Sequence, residues 1–430
     1  MIAGAANNLA MLLQAMGHFA DARPLCERAV ALAESRSGGL PLAALVANLG
    51  SVCEDLGDLD AARQHLERAV GLVDPQVKGP QGQQHHPHPE QLARWLTSLG
   101  GVARAQGRDD EARPLLERAV AVVEAARGPE HPAVAARLRT LAALLRAQRD
   151  SAAAVPVLER VVRISSAACR RRKDATKCEP LASDLGALGA ALHARGAYPD
   201  AGPLFERALR LREEALGPDH AASMRSKASL AANARHANAP NVAVPLLREL
   251  VSSHERASTR PDACPARAAA LIDLAEALLE LLDHVETTQV EEHLLQGDAQ
   301  TPTPAAATAP DVVTAEAVAA ARRALAIRRR ALGAAHEHTA VAHSVLGWCL
   351  LAATDVDAAF AAHEAAAAIC ERLAPANAIK LRVRVGVLVA DARRRRARDA
   401  AAEASALAQR LRRPAHERRA ARKALDDAAT

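Results

Sequence analysis

The chain has 430 residues and a formal charge of +5; half of its residues are apolar, yet only six are Phe, Tyr or Trp. Apolar side chains this small, over this length, argue against one thick central core and favour burial between thin, closely stacked helical layers. No Gly-rich phosphate loop is present, His363-Glu364 lacks the second His of a zinc-protease pair, and no apolar run reaches membrane-spanning length.

The seven cysteines form no Cys-x-x-Cys pair, and Cys26, Cys53, Cys349 and Cys370 fall inside apolar helical patterns as reduced core residues. With no basic residue before Arg23, the expectation is a soluble, cytoplasmic chain with no metal and no cofactor. Cys169 and Cys178 flank the basic run Arg170 to Lys173; two unpaired thiols are expected there, a disulfide being the alternative.

In chain order, the stretch Ala22-Arg-Pro-Leu-Cys-Glu-Arg-Ala-Val30 returns with its first Ala at Ala62, Ala112, Ala154, Ala201, Ala243, Ala317, Ala359 and, weakly, Ala401. Spacings near 42 residues mark a repeat. Thirteen residues before the first six anchors stand Leu9, Leu49, Leu99, Leu141, Leu188 and Leu230, in a second amphipathic pattern. Gly17, Gly57, Gly107, Gly196 and Asn238 separate the two patterns, as a chain needing positive φ after a helix would have them. Each unit therefore reads as helix A, tight turn, helix B. The anchor Ala and a second Ala seven residues on (Ala29, Ala69, Ala119, Ala208) keep one face of helix B small, so helix A approaches closely. Pro24, Pro114, Pro156, Pro203 and Pro245 are expected near the start of helix B, with a small kink at them as the alternative if that helix begins well before the anchor Ala.

Two segments interrupt the period. Gly79 to Pro89 is rich in His and Gln and reads as a solvated loop rather than a metal site. The step from Ala243 to Ala317 is longer than one period, and residues 283–311 hold the surplus: Asp283, Glu286, Glu291, Glu292, Asp298 and Asp311, with no Lys or Arg. This segment, ending in Thr301-Pro-Thr-Pro304, is expected to be a disordered acidic flap able to fold back on the repeats as a pseudo-ligand. Beyond Ala378 there are 15 Lys or Arg against 6 Asp or Glu, densest at Arg393 to Arg396 and at Arg410, Arg412 and Arg413. Polyanion or nucleic-acid binding is one reading of that charge. With no aromatic residue after Phe360 to stack a base, a solvated capping helix is the preferred one.

Asn7-Asn-Leu-Ala10, the Ala22 stretch, and the linkers Gly128-Pro-Glu-His-Pro132 and Gly217-Pro-Asp-His220 together resemble the tetratricopeptide repeat in its kinesin light chain-like form of 42 residues. The resemblance spans roughly residues 3–410 and implies an all-α, right-handed solenoid of about nine repeats. Residues 3–282 would hold repeats one to six and helix A of the seventh. The insertion 283–311 would follow, then helix B of the seventh with degenerate repeats eight and nine over 312–410, and a basic cap over 411–430. The resemblance further implies a non-catalytic protein-interaction scaffold whose A helices line a concave groove. Its groove positions fall on Arg94, Arg104, Arg139, Arg146, His193, Arg225 and Arg235, with Gly101, Ala143, Ala190 and Ala232 between them. Asn7, Asn8 and Asn48 match the asparagines that hold a peptide backbone in the family, while Ser98, Thr140, Ala187 and Ser229 replace them later. An extended acidic peptide is the partner such a basic, roomy channel would take, since Arg pairs with carboxylates in a planar, bidentate way. Arg104, Arg146 and Arg235 are also placed where any helix welcomes a cation, in its last turn.

Overall fold

The computed structural model describes residues 2–34, 40–74, 89–170, 178–259, 264–296 and 310–372, and no strand occurs among them. Sixteen helices run in order: α1 (Ile2–Ala15), α2 (Phe19–Glu34), α3 (Leu40–Asp55), α4 (Leu59–Val73), α5 (Pro89–Ala105), α6 (Asp109–Arg127), α7 (Pro132–Ala147), α8 (Ser151–Arg170), α9 (Glu179–Ala194) and α10 (Tyr198–Leu216). They continue with α11 (Ala221–His236), α12 (Pro240–Ala257), α13 (Pro265–Gln296), α14 (Pro310–Leu332), α15 (Glu337–Ala352) and α16 (Val356–Arg372). Odd-numbered helices are the A members and even-numbered ones the B members. Within α1–α10 and within α11–α16 each helix packs on the next, and the A helices α1 and α3, α3 and α5, α5 and α7, α11 and α13, and α13 and α15 also touch. The chain divides into two compact units, residues 1–216 with α1–α10 and residues 217–430 with α11–α16. A ninth repeat around Ala401, the basic C-terminus and the His-rich loop lie outside the described residues.

A single interlock explains most of the pairing. Four residues past seven of the anchor alanines, a B-helix side chain enters the A helix just after the marker position, and the two residues are matched in size. Cys26, Leu158 and Leu247 stand where the A helix has Ala10, Ala142 and Ala231, all fully or almost fully buried. Leu66, Leu116, Phe205 and His363 instead meet Gly50, Gly100, Gly189 and Gly347; a Cβ there would lie 3.0 Å or less from the entering side chain. Burying one such leucine contributes roughly 1.5–3 kcal/mol, so removing the glycine gap forfeits a large share of one repeat's packing.

The turns follow the same economy. Gly17, Gly57, Gly107 and Gly196 have φ from 76° to 81°, and Asn238 has 55°. Arg149 (59°) and Thr354 (61°) take the same left-handed conformation without the freedom of glycine. At the start of α7, α11 and α15, a histidine caps the helix: Nδ1 of His131, His220 and His336 accepts from the backbone N–H two residues on, at 3.1–3.2 Å. Gly128, Gly217 and Gly333, each three residues before its histidine, hold positive φ.

Three expectations need correction. The prolines of helix B are not at its start: each is the sixth residue of its helix, where it leaves a carbonyl one turn earlier without its usual N–H. The segment expected to be disordered from Asp283 is helical as far as Gln296, because nothing between Ala266 and Gln296 is Gly or Pro and the first breaker is Gly297. Cys169 and Cys178 are joined as a disulfide, their Cα atoms 5.4 Å apart, because the end of α8 and the entry to α9 bring them together. Cys26, Cys53, Cys349 and Cys370 are buried and unpaired, as the reduced-core expectation has them, and burial pushes Cys26 up to about 11 and Cys349 up to about 12.

Candidate functional site

Arginine is abundant on both helix types, and on each some are paired with carboxylates while others, such as Arg28 and Arg207 of the B helices, have no ion pair among the described residues. On the B helices, the Arg after the anchor Ala pairs one turn ahead and again with the following repeat. Arg23 meets Glu27 (3.0 Å) and Asp58 (3.3 Å), Arg63 meets Glu67 (2.7 Å) and Glu111 (2.8 Å), and Arg113 meets Glu117 (2.9 Å) and Asp150 (3.7 Å). Arg68, Arg118 and Arg160 pair with Glu34, Asp74 and Glu124. These ladders hold register, and the exposed pairs contribute little each; Arg118 differs in meeting a buried carboxylate, that of Asp74.

In the first unit, the A helices differ along the stack. On α1 and α3 the surface is polar without being basic: Asn48 Nδ2 donates to Asn7 Oδ1 (2.9 Å), and Gln14 Nε2 donates to Ser51 (3.0 Å) and Asp55 (2.5 Å). The two family asparagines therefore hold one another, leaving an amide edge of each for other contacts. Glu54, near Gly101 of α5, is raised above the usual carboxylate range by burial and then by Asp55.

On α5 and α7 the surface turns basic. Arg94, Thr97, Gly101 and Arg104 share one face of α5 through their spacing of three and four residues. Arg94, Arg104 and Arg146 are exposed, and none forms an ion pair among the described residues. Arg137, a residue outside the family's groove register, reaches across the α5–α7 seam, where its Nη1 donates to Thr97 Oγ1 at 3.3 Å. Its guanidinium is held below the ordinary value by burial first and by the neighbouring charge of Arg94 second; Glu90 opposes this but is itself paired with Arg127 at 2.7 Å.

Two expected contact residues are spent inside the chain. Arg139 donates from Nε and Nη2 to both oxygens of Asp184 (2.7 and 2.8 Å) and to Ser165 (3.1 Å), tying α7 to α8 and α9 around a carboxylate whose side chain is 4% exposed. Arg235, in the second unit, faces Glu280 (2.7 Å), Glu276 (2.9 Å) and Asp273 (3.6 Å), all on α13. Burial opposes the charge of Arg235, but the hydrogen bond to Glu280 and the charges of Glu276 and Glu280 outweigh it and hold the guanidinium above its ordinary value. The groove register finds no acid on the A helices of repeats three to six; the acid comes from the seventh. His193 lies edge-on to Tyr198 with ring centroids 5.1 Å apart, and Arg225 is exposed on α11. No group of three or more His, Cys, Asp or Glu among the described residues is arranged to hold a metal, and no described helix is long and apolar enough to cross a membrane.

Comparison with known proteins fits this architecture. A family model described as tetratricopeptide repeat matches residues 1–73, 91–167 and 181–256, and a second of the same description matches 314–338. No curated protein matches the sequence. Among solved structures, nearly identical TPR-like repeats from Podosopora anserina, assigned to a kinesin light chain, are 25% identical over 49% of this chain and 100% of that one, with a TM-score of 0.40. BtubC (BKLC) from P. vanneervenii is 16% identical over 67% of this chain and 95% of that one, TM-score 0.42. The C-terminal part of a TPR repeat-containing protein from Cytophaga hutchinsonii is 13% identical over 74% and 94%, TM-score 0.47. With the repeat interlock on one side and family models covering more than half of its length on the other, the chain belongs to the tetratricopeptide repeat family.

Proposed function

We propose that the chain is a non-catalytic interaction scaffold that binds an extended acidic segment of a partner protein across α5 and α7, through Arg94, Arg104, Arg137 and Arg146. One observation carries this. The B-helix arginines of the ladders are matched by carboxylates, whereas these four A-helix arginines have none within ion-pair distance among the described residues. Arg94 and Arg104 lie ten residues apart on one helix, about 15 Å along its axis, which four to five residues of extended chain would span. Gly101 between them leaves room: a Cβ there would meet nothing closer than Glu54 Oε1 at 3.9 Å. Arg139 and Arg235 serve the scaffold in this proposal, and Arg225, His193, Asn7 and Asn48 lie beyond the central patch.

The test is affinity capture from nuclease-treated extract with wild type and with Arg104→Glu/Arg146→Glu, both checked for unchanged helical content. Acidic partners retained by wild type and lost by the variant support the proposal, and identical partner lists overturn it. Partners lost on nuclease treatment alone would instead favour polyanion binding.

A further inference from the structure

The geometry points to a phosphoryl subsite at the α5–α7 seam, formed by Arg94, Arg137 and Thr97, which takes a phosphorylated serine or threonine within the acidic segment. This inference rests on the basic-face proposal above and names one side chain of its ligand.

The Arg94–Arg137 end differs from the Arg104–Arg146 end. Arg104 and Arg146 occupy last turns of their helices, where the helix dipole already favours a cation. Arg94 is in the first half of α5 and Arg137 in the first half of α7, where the dipole gives no such support and their mutual repulsion is added. Arg137 is also poorly satisfied within the chain. Its Nε is buried with no hydrogen-bond acceptor, and its one bond, to Thr97, is long at 3.3 Å. Thr97 spends its own proton on the carbonyl of Ala93 (2.6 Å), so its hydroxyl acts toward the seam as an acceptor that orients the guanidinium.

Such a pair is costly when empty and is relieved by an anion placed against its outer edge. A single carboxylate offers two oxygens and one charge. A phosphoryl group offers three oxygens and a charge near −2, enough to engage both guanidiniums at once. The pair is therefore a better match for a phosphate than for another glutamate. A nucleic-acid backbone is disfavoured at this spot: α7 carries no aromatic residue, and Trp95 of α5 is buried at 6% exposure, so bases have nothing to stack on.

The experiment uses the full chain and three fluorescently labelled glutamate-rich peptides of one length, with phosphoserine, serine or glutamate at the centre, read by anisotropy. The wild type is expected to bind the phosphoserine peptide about tenfold more tightly than the glutamate peptide, in line with the greater strength of doubly charge-assisted bonds. Arg94→Gln and Arg137→Gln, each checked by circular dichroism and thermal unfolding, are expected to weaken the phosphoserine peptide about tenfold more than the glutamate peptide, so that the two then bind alike. Arg104→Gln/Arg146→Gln is expected to weaken all three peptides together. Equal binding of phosphoserine and glutamate peptides by wild type would overturn the subsite and leave the scaffold proposal standing. Loss of the preference only in the Arg104/Arg146 variant would overturn the assignment to the seam, and failure of every peptide to bind would overturn both proposals. As a folding-independent check on the native protein, inorganic phosphate at matched ionic strength should shift the Arg137 side-chain NMR signal, whereas chloride should not.

Discussion

His363 shows how much one position can decide. It fills the place that leucine, phenylalanine or cysteine takes in other repeats, is 0% exposed, faces Trp348 edge-on at 5.3 Å, and has no hydrogen-bond partner for either ring nitrogen among the described residues. Burial pushes it down from 6.5 to about 4. A histidine with a lowered folded value stabilises fully above pH 6.5 and loses that contribution as pH falls toward 4, because the unfolded chain takes up the proton first. Thermal unfolding of the second unit should therefore weaken over this window by up to roughly 3 kcal/mol, and His363→Leu should flatten the dependence. Gly347 is bound to the same ring: a Cβ would fall 2.5 Å from its Nε2, so Gly347→Ala should cost about 1–3 kcal/mol in denaturant titration. Gly101→Ala, whose Cβ would meet nothing closer than Glu54 Oε1 at 3.9 Å, should stabilise α5 by about 0.5–1 kcal/mol through helix propensity. At the α7 start, His131→Ala should cost about 1 kcal/mol through the lost cap, with His131→Asn recovering most of it.

Between elements, the junction of α7, α8 and α9 rests on Arg139, Asp184 and Ser165. Asp184→Ala should destabilise the first unit by about 3 kcal/mol, since it strands a guanidinium against a packed seam. Replacing Arg139 and Asp184 together by leucine should cost much less, and a double-mutant cycle read by chemical denaturation separates the two cases. The sequence marked Arg139 as a groove residue because repeat register assigns it an outward position. Its partner is 45 residues away and becomes visible only when α9 is laid beside α7. Arg137 shows the reverse: one residue out of register, it falls outside the groove positions, although it reaches Thr97 across the α5–α7 seam. The continuation of α13 to Gln296 was open to a propensity argument, since the first helix breaker is Gly297, but the absence of positive charge and the prolines beyond it drew the boundary too early.

At the scale of the whole molecule, the contrast lies between α5 and α7 of the first unit and the Arg235 cluster of the second. The first presents Arg94, Arg104, Arg137 and Arg146 without carboxylate partners among the described residues, while the second surrounds Arg235 with Asp273, Glu276 and Glu280. A photo-crosslinking acidic peptide should consequently label α5 and α7 and leave α13 untouched, as peptide mapping by mass spectrometry would show. Its affinity should fall steeply as ionic strength rises, because exposed charges beyond about 10 Å are screened at 0.1 M salt.

Sequence alone determined the repeat, the A and B roles, five of the left-handed turns and the small-residue faces, because each depends on neighbours within one period of the chain. Tertiary structure decided which arginines are available. Whether a guanidinium meets a carboxylate one repeat away depends on side-chain reach between stacked helices, and periodicity treats Arg139, Arg146 and Arg235 alike although only Arg146 is left without an ionic partner among the described residues.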